Sequence, residues 1–412
     1  MLRAILPHSH RGRVLVAGAL LDAMATGLYL AVATLYFVQT MHIPAASVGL
    51  VLSIANICGL LIPMPVARLT RRLGLARVYI ALLVLRGIGM AAYALADGYW
   101  RYLAVTIFFT AASRAALPLL QVLVGVMESE ADRTRTMASL RTVNNIGLGA
   151  GFFLAGGVQL LDSRAAYLAL FVVGGLAFAV VAAVTAVAAR GVDQTAPAPK
   201  PTRRPRTVYT DHRFITMAVA NAVMLLHDSM LFVLIPLWVV QRSGLSATVS
   251  SILLMLNTVI TVLLQVRVAR YAKGFGGSMR LLRWSVVALA VAGVVLGWAE
   301  SGSPWLLVIL LTSAVILLTI GENLHAVAGW ELSFLMSPPE QRAQYLSLFS
   351  LGYSGQLILG PALMTSVVLP WGMPGLLLMT VLFVAALGVT TVAVRSYTLI
   401  RRADAHAGEG RA

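Results

Sequence analysis

VLVAGALLDAMATGLYLAVATLYFV, residues 14–38, decides the fold class. A hydrocarbon core about 30 Å thick is crossed by about 20 helical residues at 1.5 Å each, so this stretch is long enough to span a bilayer. Within it stands one acid, Asp22. A carboxylate in hydrocarbon is costly whether charged or protonated, and it is kept where it meets a partner or a water-filled cavity. The stretch therefore marks both a membrane protein and its first candidate functional group.

The whole chain agrees with that reading. Of 412 residues, 59% are hydrophobic and only 11% charged, too few charges to keep a soluble domain dissolved. The net charge of +16 raises the question of a nucleic-acid partner, but the arginines sit in short clusters between apolar runs and not on one soluble face. They read as topology signals, and no nucleic acid is expected. The single cysteine, Cys58, lies inside an apolar run, which rules out an intramolecular disulfide and says nothing of redox compartment. MLRAILPHSHRGR before the first run has the charge layout of a signal peptide, yet the run is too long for one and holds Asp22. It reads as an uncleaved first span.

Apolar windows of about 20 residues predict twelve transmembrane helices. They cover residues 14–38, 46–67, 78–96, 102–124, 139–161, 165–189, 214–240, 247–268, 281–299, 304–327, 344–369 and 374–397, and are numbered 1 to 12 in that order. Of the 31 Lys and Arg residues, 26 fall in loops on the side of the N-terminus, three (Arg101, Arg164, Arg242) on the other side and two (Arg86, Arg114) within spans. Positive loops stay inside, so both termini are expected in the cytoplasm of a multi-pass protein of the cell membrane.

The apolar pattern breaks most at 190–213, where Pro, Ala and Arg replace aliphatic residues. This predicts a cytoplasmic linker, semi-rigid where Pro dominates. Its Arg run reads either as a solvated topology signal or as an anchor to anionic lipid. It divides the chain into an N-terminal bundle of six helices (1–189) and a C-terminal one (214–397), with a tail at 398–412. The halves look like repeats: VGLVLSIANICGLLIPMPVAR (48–68) set against VSSILLMLNTVITVLLQVRVA (249–269) aligns Asn56 with Asn257. Two parallel six-helix repeats joined by a linker are a standard transporter plan.

Here the chain resembles the major facilitator superfamily over essentially its whole length. ARLTRRLGLARV (67–78) is similar to the signature loop between helices 2 and 3, with Arg72, Gly74 and Arg77 in place. Ala67 stands at the family's Gly position and Arg71 at its Asp position, so the acid that locks the cytoplasmic gate in that family is replaced. Helix 4 carries Arg114 in FFTAASRAALPLLQ, similar to the family's intramembrane Arg, with Leu117 and Pro118 where Gln-Gly is usual. GLGAGFFLAGG (147–157) is similar to the Gly-rich helix-5 motif of drug:proton antiporters, with Phe152 in place of its Pro. SGQLILGP (354–361) sets Gly360 and Pro361 at a corresponding depth in the second half. Glycines at four-residue spacing also serve close helix packing, and for Gly147, Gly151 and Gly156 both readings stand open.

The resemblance implies an all-α membrane protein of two pseudo-symmetric six-helix bundles, with helices 1, 4, 7 and 10 lining a central cavity. Three acids and an Arg fall on those helices: Asp22, Asp228, Glu322 and Arg114. Asp22 lies about 12 Å and Arg114 about 15 Å from the N-terminal side of the membrane at 1.5 Å per residue, so the two are expected to meet, as a proton-sensitive pair or a permanent structural one. Asp228, about 21 Å deep, is a candidate second proton or cation site, with His227 beside it read as a packed or interfacial histidine. Glu322 reads as an interfacial acid in an inter-loop salt bridge or a coupling group, and Arg86 as an Arg with a structural partner in the N-terminal half. Pro236 reads as a kink or as an ordinary membrane proline. Thr26, Tyr29, Tyr36, Gln121, Phe232 and Trp238 complete the expected cavity, whose few polar groups suit amphipathic or cationic organic molecules.

These residues predict a proton-coupled exporter of a small organic compound. The alternatives are a proton-coupled uptake symporter for a small metabolite and a non-transporting membrane protein. No enzyme is expected, because paired Asp-rich motifs, His-Glu-x-x-His and Gly-x-Ser-x-Gly do not occur. No cofactor or metal is called for, and a monomer in the bilayer is the expected form.

Overall fold

The computed structural model describes residue 7 and residues 9–128, 130–161, 163–190 and 209–409, so most of the expected linker and the last three residues lie outside the described residues. All regular structure among them is helical. We number the helices α1 (His10–Leu35), α2 (Ala45–Leu61), α3 (Leu75–Ala92), α4 (Tyr99–Met127), α5 (Glu130–Leu160) and α6 (Arg164–Ala188). The series continues with α7 (from His212–Met224), α8 (Ala247–Ala269), α9 (Gly274–Trp298), α10 (Pro304–Leu335), α11 (Arg342–Leu363) and α12 (Met373–Glu409).

Helix starts follow local chemistry. Ser9, Ser163, Asp211 and Ser303 each accept a hydrogen bond from a first-turn backbone N–H of α1, α6, α7 and α10. Ten helices are long and apolar enough to cross a membrane, and α2 with its continuation Pro63–Leu73, bent by 43°, makes an eleventh if taken as one span. The remaining helix of the twelve expected, α5, carries Asn144, Asn145 and Gln159 and is not among those that qualify.

Three details differ from the sequence expectation. The supposed loop at 68–77 is the helix Pro63–Leu73 followed by a single break at Gly74, whose φ of 89° and ψ of 145° suit a residue without Cβ. α10 runs to Leu335 and not 327, and α12 continues to Glu409. α7 is not one regular helix: a turn at Leu225 is followed by Leu226–Ser229, a π turn at Met230–Leu234, Ile235–Leu237 and a second π turn at Trp238–Arg242.

By their contacts the helices form two compact units. The first holds Met1–Lys200 with Ile235–Thr258. In it α1 packs on α5 and α6, α3 on α4 and α6, and α2 on α4. Its core joins Leu15 and Val16 of α1, Leu82 and Leu83 of α3, and Leu119 and Leu123 of α4. Ser9 Oγ donates to the buried Glu128 Oε1 at 2.5 Å, tying the start of α1 to the end of α4. Ile235–Thr258 joins this unit through Ser251 Oγ, which donates at 2.7 Å to Gln159 Oε1 of α5. The second unit holds Pro201–Leu234 with Val259–Ala412; there α9 packs on α10 and α12, and α7 on α11 and α12.

Large apolar side chains such as Leu61, Phe153 and Val381 stand exposed on the helix flanks, as lipid-facing residues do. Trp100, Trp298, Trp305 and Trp371 are exposed close to the ends of their own helices, where an amphipathic ring suits a membrane interface.

Candidate functional site

The first charged centre lies in the first unit. Asp22, at mid-length of α1, accepts a bidentate pair of hydrogen bonds from Arg86 of α3: Nη1 to Oδ2 at 2.5 Å and Nη2 to Oδ1 at 3.0 Å. The expected partner was Arg114. Arg114 instead donates from Nη2 to Asn56 Oδ1 of α2 at 2.9 Å. Asp22 and Arg114 lie at similar depth, but depth leaves the azimuth free, and α1 packs mainly against α5 and α6 while Arg114 of α4 faces α2. The expectation that Arg86 has a partner within the N-terminal half holds, and the partner is Asp22.

Both terminal nitrogens of Arg86 are engaged, while its buried Nε has no hydrogen-bond partner among the described residues. Its guanidinium carbon lies 4.2 Å from the centroid of the Phe178 ring, and Nη2 reaches Thr26 Oγ1 at 3.4 Å. Only 9% of the Arg86 side chain is exposed against 23% for Asp22, so the carboxylate is the open member of the pair. It opens on a cavity of about 560 Å³ between α1, α3, α4, α5 and α6. That volume lies in the range of small-molecule sites. Leu15, Leu120, Met137 and Val181 make apolar walls, while Gln121 and Asn144 offer polar contacts and Arg141 stands exposed at the same space.

Of the six cavity candidates, Thr26 and Gln121 line this space. Tyr29 and Tyr36 do not: Tyr29 shares a 3.0 Å hydroxyl contact with Tyr93, and Tyr36 packs against Phe37, Tyr167 and Phe171 in a buried aromatic core. Trp238 is fully buried beneath Arg242, and Phe232 sits half-buried on the first π turn of α7. In α5, Gly147 and Gly151 lie against α1; a Cβ at Gly147 would meet Leu20 O at 2.6 Å, and one at Gly151 would meet Leu28 N at 2.8 Å. Gly156 differs, its nearest neighbour being Ser251 Cβ at 3.5 Å. Arg71, Arg72 and Arg77 flank Gly74 with exposed side chains.

The second unit gathers His227, Asp228 and Glu322, singled out in the sequence, with His325 and Asn221 into one polar cluster. His227 Nε2 and His325 Nδ1 lie 3.0 Å apart, and His325 Nε2 lies 2.9 Å from Asn221 Oδ1. Both rings are 2% exposed. Asp228 Oδ1 is 3.1 Å from His227 Nδ1, an ion-pair distance without hydrogen-bond alignment, so that buried nitrogen has no hydrogen-bond partner among the described residues. Glu322, one turn before His325, interacts electrostatically with His227. α10 continues to Leu335, so Glu322 lies about 20 Å from that helix end at 1.5 Å per residue. The sequence signals this cluster by an acid and a histidine close together on each of two spans, Asp228 with His227 and Glu322 with His325, and leaves their contact open.

Segment 226–229 is locked by α11. Gln356 Nε2 donates to Ser229 Oγ at 2.5 Å, and a Cβ on Gly360 would collide with that hydroxyl. Pro361 lies within α11, and its carbonyl accepts from Thr365 Oγ1 at 2.9 Å. Among the described residues no three or more His, Cys, Asp or Glu side chains are placed to hold a metal ion.

The family model described as Major Facilitator Superfamily matches residues 15–332. A search of curated proteins gives no match. The fold is similar to the crystal structure of the nucleoside transporter NupG, at 15% identity and a TM-score of 0.72, over 95% of this chain and 99% of that one. It is similar also to a POT family transporter in complex with 5-aminolevulinic acid, at 14% identity and a TM-score of 0.74, over 96% of this chain and 99% of that one. A bacterial homologue of the iron transporter ferroportin in an inward-facing state matches at 15% identity and a TM-score of 0.70, over 92% of this chain and 98% of that one.

Proposed function

The chain belongs to the major facilitator superfamily, and from that premise we propose a secondary transporter that exports a small amphipathic organic compound by proton-coupled alternating access. One observation carries the coupling: the Asp22–Arg86 pair, deep within helices long enough to cross a membrane, forms part of a cavity wall with its carboxylate as the open member. A proton arriving through the cavity meets Asp22 first. Its binding removes the charge that Arg86 faces, leaving a buried guanidinium in contact with Thr26 and the Phe178 ring. A charge that needs a partner in one protonation state and not in the other is the physical link between proton and conformation.

The apolar walls with sparse polar groups support an amphipathic cargo. The similarity of residues 147–157 to the antiporter motif supports export, and the packing of Gly147 and Gly151 on α1 is compatible with it. In this reading the two six-helix halves are the moving bodies, small molecules and protons the partners, and both termini lie in the cytoplasm.

Inside-out vesicles given an inward-acid pH gradient test this. A panel of amphipathic cations, anions and neutral dyes is offered with and without a protonophore. Concentration of at least one compound, lost with the protonophore and lost in Asp22→Asn, is the expected result. Flux of every transported compound that ignores the gradient, or full gradient-driven flux in Asp22→Asn, overturns the coupling; accumulation only in right-side-out vesicles reverses the direction to uptake.

A further inference from the structure

We propose that His227 and His325 form a buried site for one shared proton in the second unit, entered through Asp228 and separate from the Asp22–Arg86 pair. The directions of the hydrogen bonds follow from chemistry. Asn221 presents its carbonyl oxygen, which can only accept, so His325 donates from Nε2. A neutral His325 then has Nδ1 as acceptor, and His227 donates to it from Nε2. That fixes every proton in the chain except one: the site at His227 Nδ1, which faces the Asp228 carboxyl at 3.1 Å.

A buried ring nitrogen without a hydrogen bond is rare and calls for a reason. Proton occupancy supplies one. When Asp228 arrives protonated, its O–H bond breaks, the electron pair stays on the carboxylate oxygen, and the proton bonds to His227 Nδ1. The imidazolium can then pass its Nε2 proton to His325 Nδ1, leaving His227 neutral in the other tautomer. One positive charge is thereby shared by two rings that are 2% exposed and flanked by the acids Asp228 and Glu322. α11 meets the segment through Gln356, whose Nε2 donates to Ser229 Oγ.

The surroundings are shaped for this chain. A Cβ on Gly329 would lie 2.6 Å from Asn221 Oδ1, so glycine there leaves Asn221 room to reach His325. The backbone carrying His227 lies between the break at Leu225 and the π turn at Met230–Leu234, where the helix is already irregular. Such π turns concentrate at functional positions.

The test is a titration that needs no substrate. Full-length protein labelled with 15N-histidine is placed in lipid bilayers, and ring-nitrogen resonances are followed from about pH 4.5 to about pH 9, the span over which an imidazole changes charge. His227→Gln and His325→Gln assign the two rings. We expect the pair to take up one proton between them, with linked resonances. In Asp228→Asn, an isosteric change, the midpoint moves by at least about one pH unit, tenfold in proton affinity, while His10 and His212 stay put. Rings that remain neutral throughout, two independent titrations, or a midpoint unmoved in Asp228→Asn would overturn the site. If the glutamine variants fail to fold, the wild-type and Asp228→Asn titrations decide alone. What the proton does in transport rests on the proposed function, but the titration does not: vesicle flux can fail while this site stands, and the reverse.

Discussion

At the scale of single residues, the Asp22–Arg86 contact sets the energetics of the first unit. Removing one partner strands a buried charge and costs about 3–5 kcal/mol, whereas replacing both by apolar groups of similar volume is near neutral or stabilising. Asp22→Asn and Arg86→Met are therefore expected each to lower the unfolding temperature of the purified protein, and the double variant Asp22→Leu/Arg86→Met to recover most of the loss. If the pair couples protons, the recovered double variant still lacks gradient-driven flux. Restored flux would make the pair a structural pin. Arg114→Gln gives the contrast, since it loses a hydrogen bond to Asn56 and leaves the Asp22 pair intact.

Elements are held together by backbones that touch. Gly147 and Gly151 let α5 lie directly on α1, and any Cβ there forces the helices apart. Gly147→Ala and Gly151→Ala are each expected to cost about 1–3 kcal/mol through overpacking. Gly156→Ala meets only ordinary contact and is expected to unfold like the wild type in the same thermal measurement. Gly74 is a different case, fixed by backbone conformation and not by space: at φ 89° an alanine adds about 1–3 kcal/mol of strain between Pro63–Leu73 and α3. An unchanged melting curve for Gly74→Ala would show that this junction relaxes.

On the scale of the whole molecule, charge placement predicts sidedness. On a Cys58→Ser background, cysteine at Leu95, after α3, is expected to react with a membrane-impermeant maleimide in intact cells. Cysteine at Leu73, before α3, is expected to react only after permeabilisation. The reverse pattern would place the Arg-rich ends outside.

Membrane character, the apolar spans and the presence of costly intramembrane charges were legible in the chain itself, because bilayer thickness and the cost of unsatisfied backbone leave a long apolar segment only the helix. Even the Asp22–Arg86 match left a trace, since both residues lie eight positions into their expected spans. What depth cannot supply is azimuth and neighbour: each residue turns the side chain by about 100°, and which helix stands on that side is set by packing between segments far apart in the chain. Asp22 with Arg86, and His227 with His325, are 64 and 98 residues apart. Tertiary structure alone chose Arg86 over Arg114, buried Tyr29 and Tyr36 in an aromatic core, and closed two histidines into one hydrogen-bonded pair.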